Sequence, residues 1–207
     1  MRLQYVASAC VVIEEAGVKV ICDPWLTSPI YGGAWYHNPP LTVGPDDFAD
    51  CEAIYLSHIN LDHTDPETLK RWPSRPPVYL AAYAEPFFAN QVRALGFPVT
   101  ELLPGQRAEF GPDFSLEIIP ADDCNPQLCG RYIGCAIRNP TEARSYQLDS
   151  LALFTGGGGR ILNVNDCPYA LASAAIQRLQ TEAGWRQPDL LLVGYTGAGP
   201  WPQCFPH

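Results

Sequence analysis

Apolar positions along the chain fall into short runs, alternating or nearly continuous, broken by turn residues. Leu3 to Ile13 and Val18 to Cys22 are β-rich and flank the polar Glu14-Glu15-Ala16-Gly17, whose glycine suits a positive φ, so the chain opens as a hairpin. Further strands are expected at Ile54 to Leu56, Val78 to Ala81, Val99 to Leu103, Phe114 to Ile119, Gln147 to Phe154 and Arg160 to Cys167. The unbroken apolar run within Pro188 to Gly194 reads as a buried strand. Helices are expected from Pro66, capped by Asp62 or Asp65, and over Pro86 to Leu95 and Ala170 to Thr181. Strands alternating with helices give an α/β protein. Gly156 to Gly159 reads as a hairpin turn, because the lysine and following helix of a phosphate loop are absent. The Gly-, Pro- and aromatic-rich stretch from Tyr31 to Pro45 has no period and reads as a long loop, with Trp35, Tyr36 and His37 either lining a pocket or packing over the core.

At 207 residues, 47% of them hydrophobic, the chain is read as one domain over 1–207 with a core that needs no disulfides. A net charge of -9 with only 13 Lys and Arg leaves no basic stripe for phosphates, which argues against nucleic acid and for a small-molecule partner. Eight cysteines are spread over a globular length without a signal peptide, so reduced thiols and a cytoplasmic location are expected. No run reaches the length of a membrane span.

The chemistry concentrates in Ser57-His58-Ile59-Asn60-Leu61-Asp62-His63-Thr64-Asp65, directly after an apolar strand. Imidazole nitrogen and carboxylate oxygen suit zinc, iron or manganese, and alternation beyond the strand would turn His58, Asn60 and Asp62 one way with His63 beside them. Ordinary loop polarity accounts for Asp65 as a helix cap but not for two histidines. Other strand ends carry carboxylates as well: Asp23 before Pro24, Asp122 and Asp123 after Ile119-Pro120-Ala121, and Asp166 after Asn163-Val164-Asn165. Asp23 and the Asp122-Asp123 pair have a plainer reading as turn aspartates.

The segment His58 to His63 resembles the His-x-His-x-Asp-His signature of the metallo-β-lactamase fold, with Asn60 at the second histidine. Three further stretches resemble one branch of that superfamily, which includes N-acyl-phosphatidylethanolamine phospholipase D and the CMP-N-acetylneuraminate hydroxylases. They are Asp23-Pro24-Trp25-Leu26, the Asp149-Ser150 strand and Asn163-Val164-Asn165-Asp166-Cys167. The resemblance implies a four-layer αββα sandwich. It puts His58 and Asn60 in a first metal site and Asp62 and His63 in a second, with Asp166 bridging them. Asp123 falls where the branch has a histidine ligand, Asp122 competes for that role, and Asp23 and Asp149 support the centre. Family members continue past the Tyr195 to His207 loop, so the sandwich is expected to be incomplete at its C-terminus.

One or two divalent metal ions are therefore expected, zinc or iron, with manganese tolerated by the oxygen-rich set. The first functional reading is a metal-dependent hydrolase of a small-molecule ester, amide or phosphoester, in which Asp62 orients a metal-activated water. The second is a non-haem iron enzyme that activates oxygen, like the hydroxylases. The third is a binding module that has lost its metals.

Overall fold

The computed structural model describes residues 1–83, 85–120, 149–167, 169–181 and 187–194. A six-stranded sheet follows chain order through β1 (Arg2–Ala7), β2 (Cys10–Glu15), β3 (Val18–Cys22), β4 (Ala53–Tyr55), β5 (Val78–Ala81) and β6 (Val99–Leu102). A five-stranded sheet is ordered β11 (Leu190–Leu192), β10 (Gly159–Asn163), β9 (Ser150–Gly156), β8 (Phe114–Pro120) and β7 (Arg107–Gly111). Helices α1 (Pro66–Arg71) and α2 (Phe87–Ala94) connect strands of the first sheet, and α3 (Tyr169–Thr181) lies between β10 and β11. The two sheets and these helices make the αββα sandwich.

Side-chain alternation explains the layers. From β9, Ala152 and Phe154 point into the core shared by both sheets, with Leu116 and Ile118 of β8 and Tyr55 of β4, whose ring meets Phe154 edge-on at 6.3 Å. Their neighbours Leu151 and Leu153 face the other way and pack with Ile119, Leu162 and Val164 against Leu179 and Ile176 of α3. The opening run Leu3 to Ile13 is itself a hairpin, since Ser8 takes φ 50° and Ala7 pairs with Cys10. Nothing in Ser8-Ala9 signals a turn, so the sequence shows one run where the chain makes two strands. The next turn is as expected, with Ala16 and Gly17 both at positive φ between β2 and β3. Strand β7 was not legible, because only Ala108 and Phe110 supply its apolar face.

Strand β11 corrects a second expectation. Leu190, Leu191 and Val193 are 41%, 51% and 60% exposed, so the run is not buried. It pairs in parallel with β10 at the end of its sheet, where an apolar stretch need not be covered on both faces. Cys10, Cys22, Cys51 and Cys167 are buried. Cys124, Cys129, Cys135 and Cys204 lie outside the described residues.

The topology brings chosen strand ends together. Strands β3, β4 and β5 run parallel, so Asp23 and the Ser57-His58 pair leave the first sheet at one edge. Strands β8 and β10 both run antiparallel to β9, with Pro120 opposite Ser150 and Asn163 opposite Ala152. The start of β9 therefore sits beside the end of β10, which places Asp149 near Asp166. Hydrogen bonds join the two edges: Ser150 Oγ donates to the Ser57 carbonyl over 2.8 Å, and Asn165 Nδ2 donates to the Tyr55 hydroxyl over 3.3 Å.

Candidate metal centre

Beyond β4 the chain stops being extended. The main-chain carbonyl of Asn60 accepts from His63 N over 2.9 Å and from Thr64 N over 2.7 Å, closing a turn that lays His63 beside His58 with ring centroids 4.0 Å apart. The continued alternation expected from the sequence is therefore replaced by a turn. Asn60 is exposed, and its main-chain oxygen makes these turn contacts. Thr64 Oγ1 donates to the His58 carbonyl over 2.7 Å and tightens the same turn. Asp65 ends it as the N-cap of α1, accepting from Glu67 N, Thr68 N and Thr68 Oγ1, with Pro66 in the first turn of the helix.

Both histidines are buried at 3% and 1% exposure, and one potential ligand atom from each lies within 4.8 Å of the other and of a carboxylate oxygen of Asp166. Asp166 is a hundred and three residues from His63 in sequence, yet its Oδ2 is 3.2 Å from His63 Nε2. Asp62 adds a second carboxylate, with Oδ2 3.5 Å from the same nitrogen and Oδ1 accepting from the Tyr31 hydroxyl over 3.0 Å. On the far side of the rings, Asp23 is fully buried at φ 44°. Its Oδ1 accepts from Ser57 N over 2.7 Å, and its Oδ2 accepts from Ser57 Oγ over 2.7 Å and from His63 Nδ1 over 2.9 Å. The Ser57 hydroxyl also reaches His58 Nδ1 at 2.9 Å.

The electrostatics follow from this enclosure. Burial, the largest influence on His63, pushes its pKa down, but the charges of Asp23 and Asp166 outweigh it and raise the imidazole to about 10. Burial holds His58 well below its ordinary range, helped by the neighbouring His63 cation. The hydrogen bond from His63 depresses the Asp166 carboxyl, while burial and then the Asp166 charge push Asp149 up to about 6. Without a metal, His63 thus carries a proton on the nitrogen that faces Asp166 and Asp62. His58 Nε2 is buried and has no hydrogen-bond partner among the described residues. A buried imidazole lone pair without a donor, next to carboxylates that attract positive charge, is the donor set a divalent cation takes.

The expected residues divide clearly. His58, Asp62, His63 and Asp166 come together, Asp23 lies behind the two rings, and Asp149 is close enough to feel the charge of Asp166. Asp122 and Asp123 lie outside the described residues, as does the Tyr195 to His207 segment. Tyr31 and Ser57 were not singled out by the sequence reading. Ser57 adjoins the first histidine, but nothing in its type announces a role, and Tyr31 is thirty-one residues away from Asp62. In the aromatic loop, His37 stacks on Trp25 at 3.8 Å, Trp35 and Tyr36 are 48% and 65% exposed, and Tyr36 and His37 line a cavity of about 370 Å³.

Residues 2–127 match the family described as the beta-lactamase superfamily domain. A Mycolicibacterium smegmatis protein carrying the name Rieske 2Fe-2S iron-sulfur protein is 32% identical over 99 residues, 47% of this chain and 19% of that protein. The cytidine monophosphate-N-acetylneuraminic acid hydroxylase of Danio rerio is 31% identical over 93 residues, 42% of this chain and 16% of the enzyme. The chain thus spans less than a fifth of the length of these curated relatives. Among solved structures, isothiocyanate hydrolase from Delia radicum gut bacteria superposes with a TM-score of 0.64 at 19% identity, over 92% of this chain and 70% of that one, a likeness of fold. With a family match over more than half of its 207 residues and the two-sheet sandwich to go with it, this chain belongs to the beta-lactamase superfamily and has the metallo-β-lactamase fold.

Proposed function

We propose that this chain is a metal-dependent hydrolase of a small-molecule ester, amide or phosphoester. The observation that carries the reading is the buried, unpartnered Nε2 of His58, a residue whose ring clusters with His63 and Asp166. In this reading His58, His63 and Asp166 hold a divalent cation with Asp62 beside them, and Asn60 and Asp123 are the further donors that the family signature assigns. A cation so held lowers the pKa of a bound water and polarises the bond to be cleaved. The chain's own groups do the rest. Asp23 and Ser57 fix the rings from behind, and Asp62, with Oδ1 held by Tyr31, uses Oδ2 to orient the attacking water. The buried surroundings strengthen each of these interactions.

A second reading, oxygen activation at iron, is supported by the hydroxylase match over 42% of the chain. It is also supported by three carboxylates, Asp62, Asp149 and Asp166, around two histidines, an oxygen-rich set that suits iron. Metal content of protein purified without added metal, measured beside hydrolysis of nitrophenyl esters and phosphodiesters, separates the readings. Zinc with hydrolysis supports the first, and iron with oxygen consumption the second. A protein that takes up no metal on reconstitution contradicts both and leaves a binding module.

A further inference from the structure

We propose that Ser57 is the positioning residue of this centre, its single hydroxyl turning the Nε2 lone pairs of His58 and His63 toward the cation. The inference rests on the metal reading above and deepens it. A serine hydroxyl has one proton to donate and two lone pairs with which to accept. Ser57 Oγ donates its proton to Asp23 Oδ2 over 2.7 Å, since a carboxylate can only accept. The oxygen then meets two ring nitrogens, His58 Nδ1 at 2.9 Å and His63 Nδ1 at 3.2 Å. With its proton already placed, it can only accept from them, so both Nδ1 atoms carry hydrogen. An imidazole protonated at Nδ1 presents its other nitrogen, Nε2, as the ligand atom.

The two histidines do not depend on Ser57 equally. His63 Nδ1 also reaches Asp23 Oδ2 at 2.9 Å and keeps that acceptor if Ser57 is lost. For His58 Nδ1, Ser57 Oγ is the acceptor among the described residues. The hydroxyl is held in place by its own main chain: Ser57 N donates to Asp23 Oδ1 over 2.7 Å, and its carbonyl accepts from Ser150 Oγ over 2.8 Å and from Tyr83 Oη over 3.3 Å. Ser57 is fully buried, which shields its hydroxyl from bulk water. The second sheet thus reaches the metal centre through Ser150, Ser57 and then His58.

The test compares wild type with Ser57→Ala and Ser57→Thr in protein labelled with ¹⁵N-histidine. In the metal-free wild type, long-range ¹H–¹⁵N correlations should show His58 as the Nδ1–H tautomer. Ser57→Ala should mix its tautomers while leaving His63 bonded to Asp23, and Ser57→Thr should restore the wild-type pattern. Zn²⁺ affinity, measured by competition with a chelator, should fall by about 10- to 100-fold in Ser57→Ala and recover in Ser57→Thr, the usual consequence of losing the partner that orients a ligand histidine. An unchanged tautomer and affinity in Ser57→Ala overturns the proposal, as does a Ser57→Thr protein as impaired as Ser57→Ala. Should Ser57→Ala not fold, Ser57→Cys keeps a similar volume with only weak hydrogen bonding and is judged by the same results. If wild type binds no Zn²⁺, the hydrolase reading fails, while the metal-free spectra still decide the role of Ser57.

Discussion

The Tyr31 hydroxyl donates to Asp62 Oδ1 over 3.0 Å and accepts from Leu61 N over 3.1 Å, so one side chain holds both the carboxylate and the backbone next to it. Burial, reinforced by the Asp62 charge, pushes the Tyr31 phenol up to about 12, which keeps it a donor at any working pH. Tyr31→Phe removes a hydrogen bond to a charged group, worth about 1.5–3 kcal/mol, and should lower kcat/KM by about 10- to 100-fold. Hydrolysis of a nitrophenyl substrate measures this, with metal content determined in parallel. Activity equal to wild type would mean that Asp62 needs no such support.

The histidine pair makes the metal-free protein sensitive to alkali. His63 titrates at about 10 when folded, because Asp23 and Asp166 overcome the effect of burial, against an ordinary value of about 6.5. A pKa raised by folding means that protonation favours the folded state, so this stabilisation is complete below about pH 6.5 and is lost as pH rises through about 10. Urea unfolding of metal-stripped protein should therefore show stability falling across that window, and His63→Gln should flatten the fall. The buried Cys10 and Cys22 thiols, also raised, add to the loss only above about pH 9, where unfolded thiols ionise. A slope unchanged by His63→Gln would contradict the assignment.

Asp65 provides a contrast within the same motif. It caps α1 and bonds Thr68, whose hydroxyl in turn accepts from Leu26 N over 2.8 Å. Asp65→Ala should cost about 1–2 kcal/mol of stability in urea unfolding, as lost caps do, and leave Zn²⁺ affinity where it was. Loss of metal at unchanged stability would place Asp65 in the centre instead.

Much of the site was legible because its pieces sit at strand ends. An apolar run followed by His58-Ile59-Asn60-Leu61-Asp62-His63 announces ligands whatever the turn geometry, and Asp166 follows a second such run. What could not be read was the turn itself. Its bonds run from Asn60 O to two backbone amides, which any residue could make, so sequence alternation gave no warning that His63 would fold back beside His58. Tyr31 and Ser57 escaped for a related reason, since their roles come from a loop and a sheet edge brought near by topology. Exposure of β11 was misread because an apolar run reports composition, whereas burial depends on what lies alongside.

If His58 and Asp166 meet to hold a cation, calorimetric titration of Zn²⁺ into metal-stripped protein will register it. Wild type should bind at least about one equivalent, and His58→Ala and Asp166→Ala should each weaken binding by about tenfold or more, because each removes a ligand atom from a buried cluster. Uptake should also release about one proton near neutral pH, displaced from His63, so the measured heat should vary with the ionisation enthalpy of the buffer. A wild-type protein that binds no Zn²⁺, or variants that bind it as tightly as wild type, would mean that His58 and Asp166 hold no metal.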